Sequence, residues 1–288
     1  MKSSREVLYV SYAHEFQMGP MRVKQPLPAR GVDQLSPFLL LHHAGPMDIK
    51  PGGSQGRISP HPHRGFEPVT FIFQGEVYHR DSLGNEGYLK GGDVQWMTAG
   101  SGVIHSEGPS PEFLEKGGVL EIIQLWINLP KSAKMIAPRY QDIKKESFPI
   151  IQDDQGDVHI QLVSGELAGK KGAADTQSPI LSAMVEMKKG GSYFFDIPSH
   201  FNASLYILKG ELSFGKAKTE NELHYVIFGR GNDGVFVKAE TDARFLFLAG
   251  EPIQEPVVSY GPFVMNTKEE IQQAILDYEN GKMGDLDF

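Results

Sequence analysis

Two short motifs in the first half of the chain carry side chains that bind metal ions. They are His61-Pro-His63 and His105-Ser-Glu107. Successive side chains of a β-strand point to opposite faces, so residues i and i+2 share a face. If the motifs lie on neighbouring strands, three imidazoles and one carboxylate can be directed at one point. The spacing therefore predicts a mononuclear metal site inside a β-barrel, formed by His61, His63, His105 and Glu107.

Glycines flank both motifs, at places where a small barrel needs tight turns and close strand packing. Gly56 precedes the first motif and Gly75 follows it, while Gly92, Gly100 and Gly102 precede the second. The chain has ten histidines in all. The others lack this setting, and we interpret them as surface or core residues.

The predicted donor set indicates the kind of metal and the kind of site. Three neutral imidazoles and a carboxylate suit Fe(II), Mn(II), Ni(II), Cu(II) or Co(II). Four protein ligands on an octahedral ion leave about two positions for water, substrate or O₂. A structural zinc site is normally closed and tetrahedral, so this donor set favours an open, catalytic site.

Composition excludes several other functions. The 288 residues include no cysteine, which excludes disulfides, zinc–thiolate sites, iron–sulfur clusters and thiol catalysis. The net charge of −8 argues against direct binding of nucleic acid. No apolar stretch approaches the ~18 residues of a membrane span, and the N-terminus has no apolar signal core. We expect a cytoplasmic protein without membrane contact, or a nuclear one in a eukaryote.

Most of the chain is predicted to form short strands separated by turns. Residues 69–73 and 119–129 are rich in β-branched and aromatic side chains, and residues 93–97 alternate in part. Gly84-Asn85 marks a turn between two strand-like segments. Closely spaced short strands of this kind predict an all-β sandwich or barrel.

The C-terminal segment predicts an α-helix instead. Thr267 and Glu270 have the spacing of a capping box, and Gly281 stands where a C-terminal cap is expected. Apolar residues recur at helical spacing, at Ile271, Ala274, Ile275 and Tyr278. We expect this helix to pack its apolar stripe onto a sheet.

A weak internal repeat indicates two copies of one β unit. Residues 70–77 (TFIFQGEV) resemble residues 205–212 (LYILKGEL). At this offset, His61 and His63 correspond to Asp196 and Pro198. The second copy is therefore predicted to keep the scaffold without the metal ligands.

The repeat also suggests domain boundaries. We assign residues 1–140 to an N-terminal metal-binding barrel. Residues 141–157, which are polar, are interpreted as a linker. Residues 158–288 are then a degenerate barrel plus the terminal helix.

The two motifs resemble those of the cupin superfamily, and within it those of the pirin family. Residues 56–75 contain His61-Pro-His63-Arg-Gly-Phe-Glu67 and resemble the first cupin motif. Residues 92–107 resemble the second motif in its pirin form, and residues 261–267 (GPFVMNT) resemble a pirin C-terminus. The resemblance therefore covers nearly the whole chain.

This resemblance implies an all-β bicupin fold: two face-to-face jelly-roll β-barrels with a C-terminal α-helix. Many cupins use the glutamate of the first motif as a ligand, here Glu67, whereas pirins take the carboxylate from the second motif. Glu67 is therefore interpreted as a supporting group beside the ligands. Arg64 is a second such candidate, orienting the site or screening its charge; the alternative is a surface arginine that completes a turn. The pirin ligands fall on His61, His63, His105 and Glu107.

The resemblance also implies an activity, that of bacterial pirin-like quercetin 2,3-dioxygenases. The substrates would be a small flavonol-like aromatic compound and O₂, and carbon monoxide would be released. The metal would act as a Lewis acid on the 3-hydroxyl group, and Glu107 would take its proton. Fe(II) is the expected metal, with Mn, Ni, Cu, Co or Zn as alternatives. The competing hypotheses are a non-catalytic iron-binding regulator of transcription factors or metabolic enzymes, and a metal-stabilised scaffold.

Overall fold

The computed structural model describes residues 2–18, 21–53, 56–215 and 219–286. In its first half the elements are β1 (Val7–Tyr12), β2 (His14–Met18), β3 (Met21–Leu27), β4 (Phe38–Ile49), β5 (Ile58–His63), β6 (Phe66–Gln74), β7 (Glu76–Asp81), β8 (Glu86–Lys90), β9 (Val94–Thr98), β10 (Val103–Pro109), α1 (Pro111–Lys116), β11 (Gly118–Asn128) and β12 (Arg139–Ile143). The remaining elements are β13 (Ile150–Gln152), β14 (Val158–Ser164), β15 (Glu166–Leu167), β16 (Lys170–Lys171), β17 (Ile180–Met187), β18 (Ser192–Asp196), β19 (Asn202–Lys209), β20 (Glu211–Ser213), β21 (Glu220–Asn221), β22 (His224–Phe228), β23 (Gly234–Ala239), β24 (Ala243–Gly250), β25 (Val258–Tyr260), β26 (Phe263–Met265) and α2 (Lys268–Glu279).

These elements form two compact units. The first unit comprises Glu15–Gln25, Phe38–Lys145 and Ile253–Phe288. The second unit comprises Met1–His14, Pro26–Pro37 and Glu146–Pro252. Each unit therefore combines segments that are distant in the sequence.

The two units share one strand order. The large antiparallel sheet runs β12-β9-β6-β11-β4-β3-β2 in the first unit and β1-β22-β19-β24-β17-β14-β13 in the second. The smaller sheets run β5-β10-β7-β8 and β18-β23-β20-β21. Strands β6 and β19, which carry the sequence repeat, hold equivalent places. Each unit is thus a jelly roll of two separate sheets, and the all-β bicupin fold with a C-terminal helix is confirmed.

The predicted domain boundaries differ from these units at both ends of the chain. Residues 1–14 lie in the second unit because β1 pairs with β22. Residues 253–288 lie in the first unit because α2 packs Ile271 and Ala274 into a cluster with Ile104. Such pairings join distant segments, so local sequence patterns do not reveal them.

The segment predicted to be a linker, residues 141–157, is partly structured. The chain passes from the first unit to the second at Lys145–Glu146, inside this segment. However, the segment contains the end of β12 and the whole of β13, which are edge strands of the two large sheets. Short edge strands keep many polar side chains, and this composition resembles that of a loop.

Aromatic side chains fill the interior of the second unit. The rings of Phe195 and Phe247 are both fully buried and stack with centroids 4.1 Å apart. Asp196, at the position that corresponds to His61, forms a surface ion pair with Lys2. Among the described residues, the group suited to hold a metal lies in the first unit.

Helix α2 has its predicted N-terminal cap, but not every residue of its predicted apolar stripe is buried. Thr267 and Glu270 form the capping box in both directions. Ile271 and Ala274 are buried as predicted, but Tyr278 is 40 % exposed and Asp277 is only 8 % exposed. Asp277 is buried because it pairs with a cation from another element, which a helical hydrophobic pattern cannot show. No helix in the described part of the chain is long and apolar enough to cross a membrane.

A buried lysine ties three segments of the first unit together. Lys134 is 1 % exposed, and burial lowers its pKa to about 8. Its Nζ donates to the carbonyl oxygens of Gly65 and Val264, at 2.8 and 3.0 Å. It also donates to Oδ1 of Asn128 at 2.7 Å. Three acceptors therefore match the three donors of the ammonium group.

We expect Lys134→Met to destabilise the first unit by about 3 kcal/mol, because buried acceptors lose their donor. Urea unfolding followed by tryptophan fluorescence measures this, since Trp96 and Trp126 both belong to the first unit. The exposed Lys131 gives a matched control, Lys131→Met, three residues away. Equal unfolding midpoints for the two variants would contradict this role for Lys134.

Candidate metal centre

The β5–β10 ladder brings the three motif histidines together. His105 lies opposite His61, and Val103 lies opposite His63, in antiparallel pairing. The nitrogen ligand atoms of His61, His63 and His105 all lie within 4.8 Å of one another. His63 and His105 are 2 % and 1 % exposed, while His61 is partly exposed. The predicted convergence of the three imidazoles is therefore observed.

The environment keeps the two buried imidazoles, those of His63 and His105, neutral. Burial and the neighbouring His61 hold the pKa of His63 well below its usual value, with the Pro262 carbonyl opposing the shift. Burial, followed by the charges of His61 and His63, has the same effect on the pKa of His105. Metals bind the neutral form of imidazole, so the buried nitrogens are ready as ligands.

The hydrogen bonds of the cluster fit a metal ion. Nδ1 of His61 lies 2.8 Å from the Ser59 carbonyl, to which it donates, so its Nε2 carries a lone pair that can form a ligand bond. This lone pair lies within hydrogen-bond distance of Nε2 of His105. Nε2 of His63 is buried without a hydrogen-bond partner in the described structure. The Nε2 atoms of His61 and His105 are 3.0 Å apart. Two metal–nitrogen bonds of about 2.1 Å at a right angle require about this separation.

Glu107 lies inside the same unit but faces other partners. It is 4 % exposed, and the β5–β10 pairing shifts register between His105 and Glu107. Its Oε1 accepts a hydrogen bond of 2.6 Å from Nε2 of Gln124, and its Oε2 a longer one of 3.5 Å from Thr70. Among the described residues, the close group contains the three imidazoles without this carboxylate. Glu107 as a fourth ligand stays a prediction.

Gln124 and Trp126 were missed by the sequence analysis. They are alternate residues of β11, so their side chains point to the same face. Nε1 of Trp126 donates to Oε1 of Gln124 at 3.1 Å, which fixes the amide so that its NH₂ group faces Glu107. A glutamine between apolar residues, in the segment 122–126 (IIQLW), was the available signal.

The two supporting candidates from the first motif form hydrogen bonds with residues other than the three histidines. Glu67 is fully buried, and its Oε1 accepts a hydrogen bond of 2.6 Å from Thr98. Arg64 is 4 % exposed, so it is not the surface arginine of the alternative interpretation. Its guanidinium group donates to Asp277 on α2.

A cavity of about 450 Å³ opens beside the histidines. Its volume is within the range of small-molecule sites. His42 is on its wall, with a pKa that burial lowers to about 4. The indole of Trp126 forms an aromatic wall beside His63, with ring centroids 5.5 Å apart. The complete lining is Met18, Leu40, His42, Arg57, Ile58, Ser59, His61, His63, Gln124, Trp126 and Pro262.

Two family models match the chain. The model described as pirin matches residues 20–127, and the model described as the pirin C-terminal cupin domain matches residues 182–284. The two matches cover the metal motifs and the second copy of the fold respectively.

Two relatives that match most of the chain are named as a putative quercetin 2,3-dioxygenase and as a pirin. A putative quercetin 2,3-dioxygenase of Pseudomonas aeruginosa is 42% identical over 248 residues, covering 86% of each chain. Human pirin is 36% identical over 291 residues, covering 99% of this chain and 96% of its own.

Solved structures agree. The crystal structure of quercetin 2,3-dioxygenase from Acinetobacter baumannii superposes with a TM-score of 0.93 at 40% identity, covering 98% of this chain and 99% of that one. The nickel(II) complex of a bacterial pirin from Escherichia coli, at 19% identity, has a TM-score of 0.68 over 85% of this chain and 99% of that one, and shows the shared fold. This chain belongs to the pirin family.

Proposed function

We propose that the first unit is a metal-dependent dioxygenase site that opens a flavonol such as quercetin with O₂ and releases carbon monoxide. The observation that carries this proposal is the cluster of three imidazoles, two of which, those of His61 and His63, lie on the wall of an open cavity. A structural site would be closed to small molecules. The names of the relatives from P. aeruginosa and A. baumannii support the same reaction.

His61, His63 and His105 would hold one divalent metal, for which we propose Fe(II), and Glu107 would complete the ligand set. A metal bound there would supply Lewis-acid chemistry towards a phenolic hydroxyl group. The hydrogen bonds from Gln124 and Thr70 use one lone pair on each Glu107 oxygen, so a ligand bond would use another.

The cavity wall suits a planar aromatic substrate. Trp126 packs on Phe66 with centroids 4.3 Å apart, and His63 packs against both rings. Such a wall restricts a flat ligand to a few orientations next to the imidazoles. Met18 and Leu40 add apolar surface, which excludes water from the bound ring system.

Glu107 is the proposed proton acceptor. Proton transfer requires a carboxylate oxygen that reaches the substrate hydroxyl. The hydrogen bond from Gln124, a residue of the cavity wall whose amide is fixed by Trp126, holds that oxygen in one place. Gln124 therefore acts as a positioning residue for the base.

The alternative is a non-catalytic iron-binding regulator, which is the other function that the resemblance to the pirin family implies. It needs the same histidines but no turnover. Measurement of carbon monoxide separates the two functions.

The first test concerns metal binding. We expect protein loaded with Fe(II) or Mn(II) to bind about one equivalent per chain, because the described residues contain one group suited to hold a metal. His63→Ala and His105→Ala should each lose the metal, as measured by elemental analysis after gel filtration. His42→Ala, which removes an imidazole from the same cavity, should retain it.

Glu67→Ala is a second comparison for this test. Because Thr98 binds the Glu67 carboxylate, we expect a smaller loss of metal than with either histidine variant. Equal loss would mean that Glu67 is a ligand. A second tight site among residues 158–250 would contradict the asymmetry of the two units.

The second test concerns catalysis. Anaerobic protein loaded with Fe(II) or Mn(II) should release carbon monoxide when quercetin and O₂ are added. Glu107→Gln should lower the initial rate about a hundredfold at equal metal occupancy, because an amide does not accept the proton. The control Glu112→Gln removes an exposed carboxylate five residues away and should leave the rate unchanged.

Normal turnover by fully loaded Glu107→Gln would exclude its role as proton acceptor. Absence of carbon monoxide from wild-type protein, with each candidate metal and several flavonols, would exclude the dioxygenase and favour the regulator.

A further inference from the structure

The C-terminal element is bonded to the chain immediately after His63. Arg64 donates through Nη1 to Oδ2 of Asp277 at 2.9 Å and through Nε to the Ser101 carbonyl at 2.7 Å. Its main chain pairs with the β25–β26 hairpin: Arg64 N donates to Pro262 O, and Val264 N donates to Arg64 O. These polar groups of Arg64 are shielded from solvent, since the residue is 4 % exposed.

The same element is bonded to the chain immediately before His105. Ser82 donates through Oγ to the Met283 carbonyl at 2.7 Å. The Oγ atom also accepts from the main-chain N–H of Ile104 at 3.1 Å. The side chain of Ile104 joins Met283 in one apolar cluster with the buried face of α2. Both ligand strands are thus tied, one residue from a ligand histidine, to helix α2 and its tail.

Two motif glycines make this contact possible. Gly65 has φ +85°, and an added Cβ would lie 2.0 Å from the Val264 carbonyl oxygen. Gly102 has φ +124°, and an added Cβ would lie 2.8 Å from Met283. Both glycines therefore serve close packing against the C-terminal element, in addition to the left-handed backbone that a side chain would strain.

Asp277 is the polar centre of this contact. Its Oδ2 accepts from Arg64, and its Oδ1 accepts from Gln273 and Lys282 at 2.8 and 2.9 Å. Loss of the Asp277 charge leaves the guanidinium of Arg64 buried without its counter-ion, which is costly. The strand end that carries His63 would then lose its anchor.

We infer that the C-terminal brace, defined as α2 and residues 280–284, is a positioning element that fixes the separation of His63 and His105, with Asp277 as its central residue. This inference rests on the proposed metal centre, because the brace touches the ligand strands rather than the metal. Residues that orient metal ligands typically change metal affinity by ten- to a hundredfold.

The test compares Asp277→Asn with Glu279→Gln, which removes an exposed charge from the same helix. Full-length protein is loaded with Co²⁺, and its release to excess EDTA is followed by absorption. We expect about tenfold faster release from Asp277→Asn, with an altered Co²⁺ absorption band. Glu279→Gln should match the wild type in both measurements.

Unfolding of the metal-free proteins by urea separates positioning from simple stabilisation. A lower midpoint for Asp277→Asn with unchanged Co²⁺ release and spectrum would overturn the inference. If Asp277→Asn does not fold, Met283→Ala tests the other contact: faster release supports the brace, and unchanged release overturns it. A wild-type protein that binds no Co²⁺ would overturn the proposed metal centre itself. Equal Co²⁺ binding by wild type and variant would instead overturn only the role of the brace.

Discussion

Convergence of three imidazoles, two of them buried, is the constraint on which the first unit depends. Burial holds the pKa values of His63 and His105 well below their usual value, since a charged ring would lose its hydration there. A ring that binds a metal also needs a defined tautomer, and the hydrogen bond from His61 to Ser59 supplies one. The β5–β10 ladder thus brings together nitrogen lone pairs that a cation can bind.

The second unit keeps the same strand order without this constraint. Where the first unit places polar ligands, the second packs Phe195 against Phe247 and exposes Asp196. Burial of apolar rings stabilises a jelly roll without any metal, at roughly 25 cal/mol for each Å² removed from water. The two copies therefore show that the fold does not require the site, whereas the site requires the fold to hold its strands in register.

Local spacing was sufficient to predict the strands, the helix caps and the shared face of His61 and His63, because each depends on the period of one element. The approach of His105 to this pair depends in addition on the β5–β10 pairing, which the sequence analysis assumed. The partners of Glu107 could not be predicted in this way. Gln124 becomes its neighbour only through the packing of two sheets, and Asp277 meets Arg64 across 213 positions of sequence. The predicted domain boundaries differ from those of the compact units for the same reason, since β1 pairs within the sheet of the second copy.

The discontinuity of the first unit has a consequence for biosynthesis. A ribosome makes the chain from its N-terminus, so all three histidines emerge long before Asp277 and Met283. Strands β5 and β10 are therefore made while the residues that later bond to Arg64 and Ser82 do not yet exist. Under the inferred role of the brace, tight binding of an ion would follow the packing of the last helix against strands made much earlier.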